Sequence, residues 1–185
     1  MNLPNKLTVL RVILVPFFIF FLLTDIVPFS KLFALIVFAC ASITDALDGH
    51  IARSRNLVTT FGKFLDPLAD KILVISALVC FIEVGVCGSV PVLIIIAREF
   101  MVSGLRLVTA DKGVVVPANI WGKLKTAFTM VTIVFILFCL AFLPDMLSGG
   151  VVNIIAQVLI WVSTLLTVIS GGIYLDTYKD HLEMK

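Results

Sequence analysis

Six long apolar stretches run along the chain: Leu7 to Leu23, Leu32 to Arg53, Asp66 to Val84, Val90 to Val108, Leu124 to Leu143 and Val151 to Tyr174. Short breaks of turn-forming or charged residues separate them. Asp25 and Pro28 divide the first pair, Gly85 and Gly88 the third from the fourth, Lys112, Gly113 and Pro117 follow the fourth, and Pro144, Gly149 and Gly150 precede the sixth. A helix crosses a bilayer core with about 20 mainly apolar residues, so the pattern predicts an all-α integral membrane protein of six transmembrane helices. No internal repeat or low-complexity tract is visible, and residues 1–185 read as one membrane domain forming a single bundle.

Composition sharpens this. Of 185 residues, 61% are hydrophobic and 14% charged, against about half and about a quarter in soluble domains. Six spans leave roughly 65 residues for ends and connections, which excludes a separate water-soluble domain. The net charge of +2 says little about nucleic acid, which is recognised by a clustered basic face, and nucleic acid is not an expected partner. The placement of the charges is more telling. On the six-span reading, thirteen of the fourteen Lys and Arg residues fall on one side, and only Lys31 on the other. The positive-inside rule then sets both termini in the cytoplasm. Outer loops fall around Asp25, Glu83 to Gly88 and Asp145. Lys6 and Arg11 before an apolar run resemble a secretory leader, but cleavage near Ala39 or Ala41 would strip off a span, so Met1 is expected to be the mature start. Cys40, Cys80, Cys87 and Cys139 form no CxxC pair and are expected to be small buried hydrophobes.

The segment Asp45 to Asp70, DALDGHIARSRNLVTTFGKFLDPLAD, puts four aspartates at the predicted cytoplasmic ends of two spans. Asp45 and Asp48 are three apart and Asp66 and Asp70 four apart, so on helices each pair shares a face. A short connection from Arg53 to Gly62 sets the helices antiparallel and side by side, which lets the four carboxylates converge. Two ionised carboxylates about 5 Å apart repel by about 3 kcal/mol at an effective dielectric of about 20, and partial burial adds a desolvation cost. An all-oxygen cluster suits hard divalent cations, Mg²⁺ or Mn²⁺, and a pair of such ions serves displacement at phosphorus. Protonation, or salt bridges to Arg53, Arg55, Lys63 or Lys71, would also compensate. Asp66 before Pro67 also fits a helix N-cap followed by proline at the first helical position. Gly49, Ala52 and Gly62 fit either close helix packing or room for a flat ligand.

Asp45, Asp48, Gly49, Ala52, Arg53, Gly62, Asp66 and Asp70, eight residues at fixed spacing across 26 positions, resemble the signature of the CDP-alcohol phosphotransferase family at every specified position. The resemblance implies a six-span enzyme of the cell (inner) membrane with its active site facing the cytoplasm. In it an alcohol attacks the β-phosphorus of a CDP-linked substrate and CMP leaves. It further implies that Asp45, Asp48 and Asp66 ligate two divalent cations, and that Asp70 ligates too or acts as general base. Gly49, Ala52, Arg53 and Gly62 would line the nucleotide, and the protein would be a homodimer among membrane lipids. Within the family, NLPNKLTVLRVILVPFF, REFMVSGLR and WGKLKT resemble bacterial members that join CDP-diacylglycerol to glycerol 3-phosphate. Asn5, Thr8 and Arg11 match polar positions of those members that touch the nucleotide; alternatively Asn5 caps a helix and Arg11 snorkels.

An acceptor bearing its own phosphate needs fixed cations, and Arg98, Arg106, Lys123 and Lys125 can supply them. Arg98 lies about 12 Å along a helix from Val90, a depth at which an arginine faces a cavity or a partner; the alternative partner is Glu83. Positive-inside flanking explains Lys123 and Lys125 equally well, and Glu99 can orient one of these cations. Trp121 and Tyr174 suit the membrane interface, while His50 and His181 are expected to do no chemistry. A sister enzyme with another acceptor, a phosphatidylserine or cardiolipin synthase, is the nearest alternative function. A divalent-cation transporter is more remote, since it would place its acids near the midplane.

Overall fold

The computed structural model describes residues 3–54, 60–111, 120–147 and 150–178, with side chains over 5–44, 68–106, 120–145, 147 and 150–177. Among these residues every regular element is helical: α1 (Leu3–Leu23), α2 (Ser30–Ser54), α3 (Thr60–Glu83), α4 (Ser89–Asp111), α5 (Ile120–Phe142), the short α6 (Pro144–Leu147) and α7 (Val151–Tyr178). The six long helices match the six predicted stretches. Three of them, α1, α5 and α7, carry segments long and apolar enough to cross a bilayer, and α2 opens with a shorter apolar stretch, Ser30–Thr44. Charges interrupt α3 and α4: Lys63, Asp66, Asp70 and Lys71 early in the one, Arg98, Glu99, Arg106 and Asp111 late in the other.

The way α1 is built explains the bundle. Asn5, Thr8, Arg11, Val15, Phe18 and Leu22 recur every three or four residues, so they form one stripe, and all six are buried. Leu10, Ile13, Phe17 and Phe20 lie outside that stripe and stay exposed. The same outward apolar surface appears on α5, at Val131 and Phe138, and on α7, at Val158, Trp161 and Leu165. Soluble monomers rarely expose contiguous apolar surface on this scale, whereas lipid tails match it. Inside, the stripe on α1 meets Ala34, Phe38 and Ala41 of α2, with the Phe18 and Phe38 rings 5.6 Å apart. Alanine at two of those three positions lets the backbones approach, the usual route to van der Waals packing between helices in lipid.

The first helix touches both α2 and α3, whereas α2 and α3 touch each other only sparingly among the described residues. The side-by-side pairing expected from their short connection is therefore largely mediated by α1. On the other flank α7 packs against α4 and α5, and α5 against α2. A hydrogen bond between Thr132 and Ser163 hydroxyls, 3.3 Å long, joins α5 to α7 in the core.

One end of the bundle is closed by backbone turns. Gly85 takes a positive φ of 74° just past α3, and the amide of Val86 reaches back to the Phe81 carbonyl at 2.9 Å, a turn that glycine makes without steric cost. Gln157 of α7 donates to the Val86 carbonyl at the same end. At the α1–α2 connection Lys31 caps the last turn of α1 by donating to the Leu22 carbonyl at 2.8 Å, and its ammonium lies 3.0 Å from Asp25. A hydrogen bond from Lys31 to the Asp25 carboxylate, and the charge of Lys31, hold the Asp25 carboxyl below its ordinary range. Burial pushes the Cys87 thiol up to about 11, which leaves it unreactive.

Two expectations change here. Arg11 does not snorkel; it is fully buried, because it occupies the inward stripe between Thr8 and Val15. Cys40 is exposed while the other three cysteines are buried, since it follows Phe38 by two residues and so leaves the inward face of α2.

Candidate active site

The start of α5, the ends of α4 and α7 and the charged part of α3 meet at the opposite end of the bundle. They enclose a cavity of about 540 Å³ lined by Asp70 and Lys71 of α3, Arg98, Glu99, Val102, Ser103 and Arg106 of α4, and Gly122, Lys123, Thr126 and Ala127 of α5. Four cations face two carboxylates in this lining, a surplus of two positive charges. A much smaller compartment of about 40 Å³ continues inward, sharing Asp70, Lys71, Glu99 and Thr126 and ending on Lys125 and Thr129.

Three of the four predicted acceptor cations, Arg98, Arg106 and Lys123, thus share walls with Asp70. Lys125 does not join them. It is 4% exposed, forms an ion pair with Glu99, and faces the smaller compartment. Interface flanking therefore does not account for it: α5 extends four residues beyond the predicted start of its stretch, and Lys125 lies on the inward face that continues through Thr129 and Thr132. The expected role of Glu99 holds, since the same carboxylate oxygen lies 3.5 Å from Nη1 of Arg98. Glu83 is not the partner of Arg98; it is exposed at the far end of α3.

Tyr174 is the largest surprise. Expected at the membrane interface, it is 2% exposed and reaches between α4 and α5. The carbon at the centre of the Arg98 guanidinium lies 5.5 Å from its ring centroid and that of Arg106 5.2 Å, both within cation–π range. Nη2 of Arg106 also donates to its hydroxyl. Ser103 and Thr126 are further cavity residues that the sequence alone did not single out, and Lys71, considered there only as a salt-bridge partner for the aspartates, lines the cavity too. For Lys71 a signal existed in its adjacency to Asp70; a lone Tyr near the end of an apolar run carries none.

Of the acidic quartet, Asp70 is described in full. The side chains of Asp45, Asp48 and Asp66, and those of Gly49, Ala52, Arg53 and Gly62, lie outside the described residues, as does His50. Their backbone is helical: Asp45, Asp48, Gly49, Ala52 and Arg53 belong to α2, and Gly62, Asp66 and Asp70 to α3. Because α3 begins at Thr60, Asp66 sits within the helix and is not its N-cap. Among the described residues no group of three or more His, Cys, Asp or Glu side chains could hold a metal. Asn5 and Thr8 are buried on α1 and do not line the main cavity.

Gly171 of α7 makes the arginine wall possible. A Cβ there would come within 3.0 Å of Cγ and 3.7 Å of Nε of Arg98, whereas at Gly172 nothing lies within 4 Å. Gly171→Ala is expected to displace Arg98 and weaken whatever anion the cavity binds by a few-fold, and Gly172→Ala to leave binding unchanged. Michaelis constants for the anionic substrate measured on both variants check this.

These features define a helical membrane protein with a cation-walled cavity beside a paired-aspartate motif. The chain belongs to the CDP-alcohol phosphatidyltransferase family, whose model matches residues 1–169. It is similar to a CDP-diacylglycerol–glycerol-3-phosphate 3-phosphatidyltransferase of Bacillus subtilis, 42% identical over 94% of this chain and 93% of the relative. Proteins of the same name from Rickettsia bellii, 37% identical over 97% of each chain, and Haemophilus influenzae, 35% identical over 98% of this chain and 95% of the relative, are similar too.

Proposed function

We propose that this chain transfers the phosphatidyl group of CDP-diacylglycerol to glycerol 3-phosphate, giving phosphatidylglycerophosphate and CMP. The observation that carries the reading is the shared cavity: Asp70 borders the same space as Lys71, Arg98, Arg106 and Lys123. A surplus of two positive charges matches an acceptor whose phosphate is a dianion. The names of the relatives, which cover nearly the whole chain, point to the same pair of substrates.

In this reading Asp70 takes the proton from the acceptor hydroxyl as its oxygen bonds to the β-phosphorus, and the bond from that phosphorus to CMP breaks. A carboxylate is suited to this because it needs only to be ionised and within hydrogen-bond reach of the hydroxyl. Arg98, Arg106 and Lys123 hold the acceptor's own phosphate, which fixes the distance from its hydroxyl to Asp70. Asp45, Asp48 and Asp66, with Asp70, are the residues that would hold two divalent cations, Mg²⁺ or Mn²⁺. The donor chemistry fits: helical α3 sets Asp66 one turn before Asp70, every candidate donor is a hard carboxylate oxygen, and the thiols of Cys80 and Cys139 are buried in the apolar core. When bound, such ions neutralise the diphosphate and stabilise the departing CMP. Gly49, Ala52, Arg53 and Gly62 line the nucleotide, with Asn5 and Thr8 contributing from α1. The protein is one domain with six spans in the inner membrane, termini and active site facing the cytoplasm, and it works as a homodimer.

The test is CMP release from CDP-diacylglycerol by purified protein in Mn²⁺, with glycerol 3-phosphate, serine, inositol phosphate or phosphatidylglycerol as acceptor. Release with glycerol 3-phosphate alone is expected. Release with a different acceptor, and none with this one, overturns the assignment of the basic wall.

A further inference from the structure

We propose that Tyr174 is a positioning residue for the acceptor's phosphate: it gathers Arg98 and Arg106 into one anion-binding wall without touching the substrate. The inference rests on the phosphate-bearing acceptor proposed above and deepens it.

Arg98 and Arg106 are eight residues apart on α4, about 12 Å along the helix axis. Left to themselves, two guanidiniums on one helix turn apart, because like charges repel. Here both centre on the same ring, at 5.5 and 5.2 Å. The electron-rich ring face attracts each cation, and the phenol oxygen accepts from Nη2 of Arg106. Tyr174 is itself held firmly, since it is 2% exposed and its Cε2 would lie only 3.5 Å from a Cβ built on Gly122 of α5. Gly122 lines the cavity and Tyr174 does not.

A second observation points to an anion. Nε and Nη2 of Arg98 are buried and have no hydrogen-bond partner among the described residues, while Nη1 is turned toward Glu99. Buried donors normally find acceptors, and a guanidinium presents its donors in a fixed fork that matches phosphate oxygens. The ring holds that fork in place by its face and competes for none of its N–H groups. Arg98 is thus arranged in advance of the anion, with its donors still available, and less freedom is lost on binding.

The test compares the wild-type enzyme with Tyr174→Phe, Tyr174→Leu and Arg98→Ala in lipid nanodiscs, measuring kcat, the KM for each substrate and thermal unfolding. Tyr174→Phe keeps the ring and is expected to raise the KM for glycerol 3-phosphate about 3-fold, and Tyr174→Leu, which loses the ring, about 30-fold, in line with desolvated cation–π contacts. The KM for CDP-diacylglycerol stays within about 2-fold, because neither arginine is assigned to the nucleotide, and kcat falls by less than the KM for glycerol 3-phosphate rises, because the arginines set the distance to Asp70 without taking the proton. If Arg98→Ala raises the glycerol 3-phosphate KM and neither Tyr174 variant does, the positioning role is overturned and the phosphate wall stands. Failure of Arg98→Ala to change that KM overturns the wall itself. Equal losses toward both substrates in the Tyr174 variants mark a merely structural tyrosine and also overturn the proposal. Should Tyr174→Leu not fold, the selective rise in Tyr174→Phe decides.

Discussion

Asp70→Asn is expected to lower CMP release by about 10³-fold, within the range of about 10²- to 10⁴-fold that a positioned general base contributes. The substitution keeps the shape of the side chain and removes its ability to accept the acceptor's proton. Asp70 is partly exposed and borders both the main cavity and the smaller compartment behind it, so its amide replacement meets no packing conflict. Thermal unfolding should therefore stay near wild type, and binding of a CDP-diacylglycerol analogue should fall far less than single-turnover CMP release, since Asp45, Asp48 and Asp66 remain to hold the cations. Full activity in the variant would move the base to another of the four aspartates.

The second large effect concerns Glu99. Its carboxylate pairs with buried Lys125 and lies 3.5 Å from Arg98, with side-chain exposures of 19%, 5% and 10% for Glu99, Lys125 and Arg98. Glu99→Leu leaves Lys125 and Arg98 without the carboxylate they share, with Asp70 as the remaining acid in the cavity lining. Removing one partner of a buried ion pair costs about 3–5 kcal/mol, and because Glu99 borders the cavity the loss here is expected at the lower end, about 3 kcal/mol. The double variant Glu99→Leu with Lys125→Leu should recover part of it, since an apolar pair of similar volume removes the Lys125 charge and leaves only Arg98 without its Glu99 partner. Thermal unfolding of the two variants, read in the same lipid, distinguishes this from a simple packing defect, in which the double variant would be worse than the single.

How much of this the sequence carries depends on the kind of information each residue needs. That Asn5, Thr8, Arg11, Val15, Phe18 and Leu22 share one face of α1 is legible from their spacing, but that this face, with Arg11 in it, turns inward is seen only in the fold. The acidic motif is equally legible, because four carboxylates next to lipid have few physical excuses. Arg98 and Arg106 were traceable to the cavity because a charge deep in an apolar helix must face something other than lipid. Tyr174 and Lys125 were not legible in this way. An aromatic or a lysine near the end of an apolar run is chemically at home at the membrane interface, and only the register of α7 against α4 and α5 turns them inward. The helix boundaries show the same limit. The first turns of α3, Thr60 to Leu65, mix Phe61, Phe64 and Leu65 with Thr60, Gly62 and Lys63, so hydrophobicity did not mark the start of the helix.

The unequal apolarity of the helices bears on how the protein is made. The segments in α1, α5 and α7 are apolar enough to partition from the translocon into lipid one at a time. α3 and α4 carry Asp70, Lys71, Arg98, Glu99 and Arg106, and a charged residue near the middle of an inserting helix costs about 2.5–3.5 kcal/mol. On the six-span reading these two helices enter the bilayer together and late, their charges shielded by one another and by α5 and α7. The wall proposed for the acceptor is then completed only when the last part of the chain is synthesised, and a nascent protein lacking α7 holds its arginines with neither Gly171 nor Tyr174 to receive them.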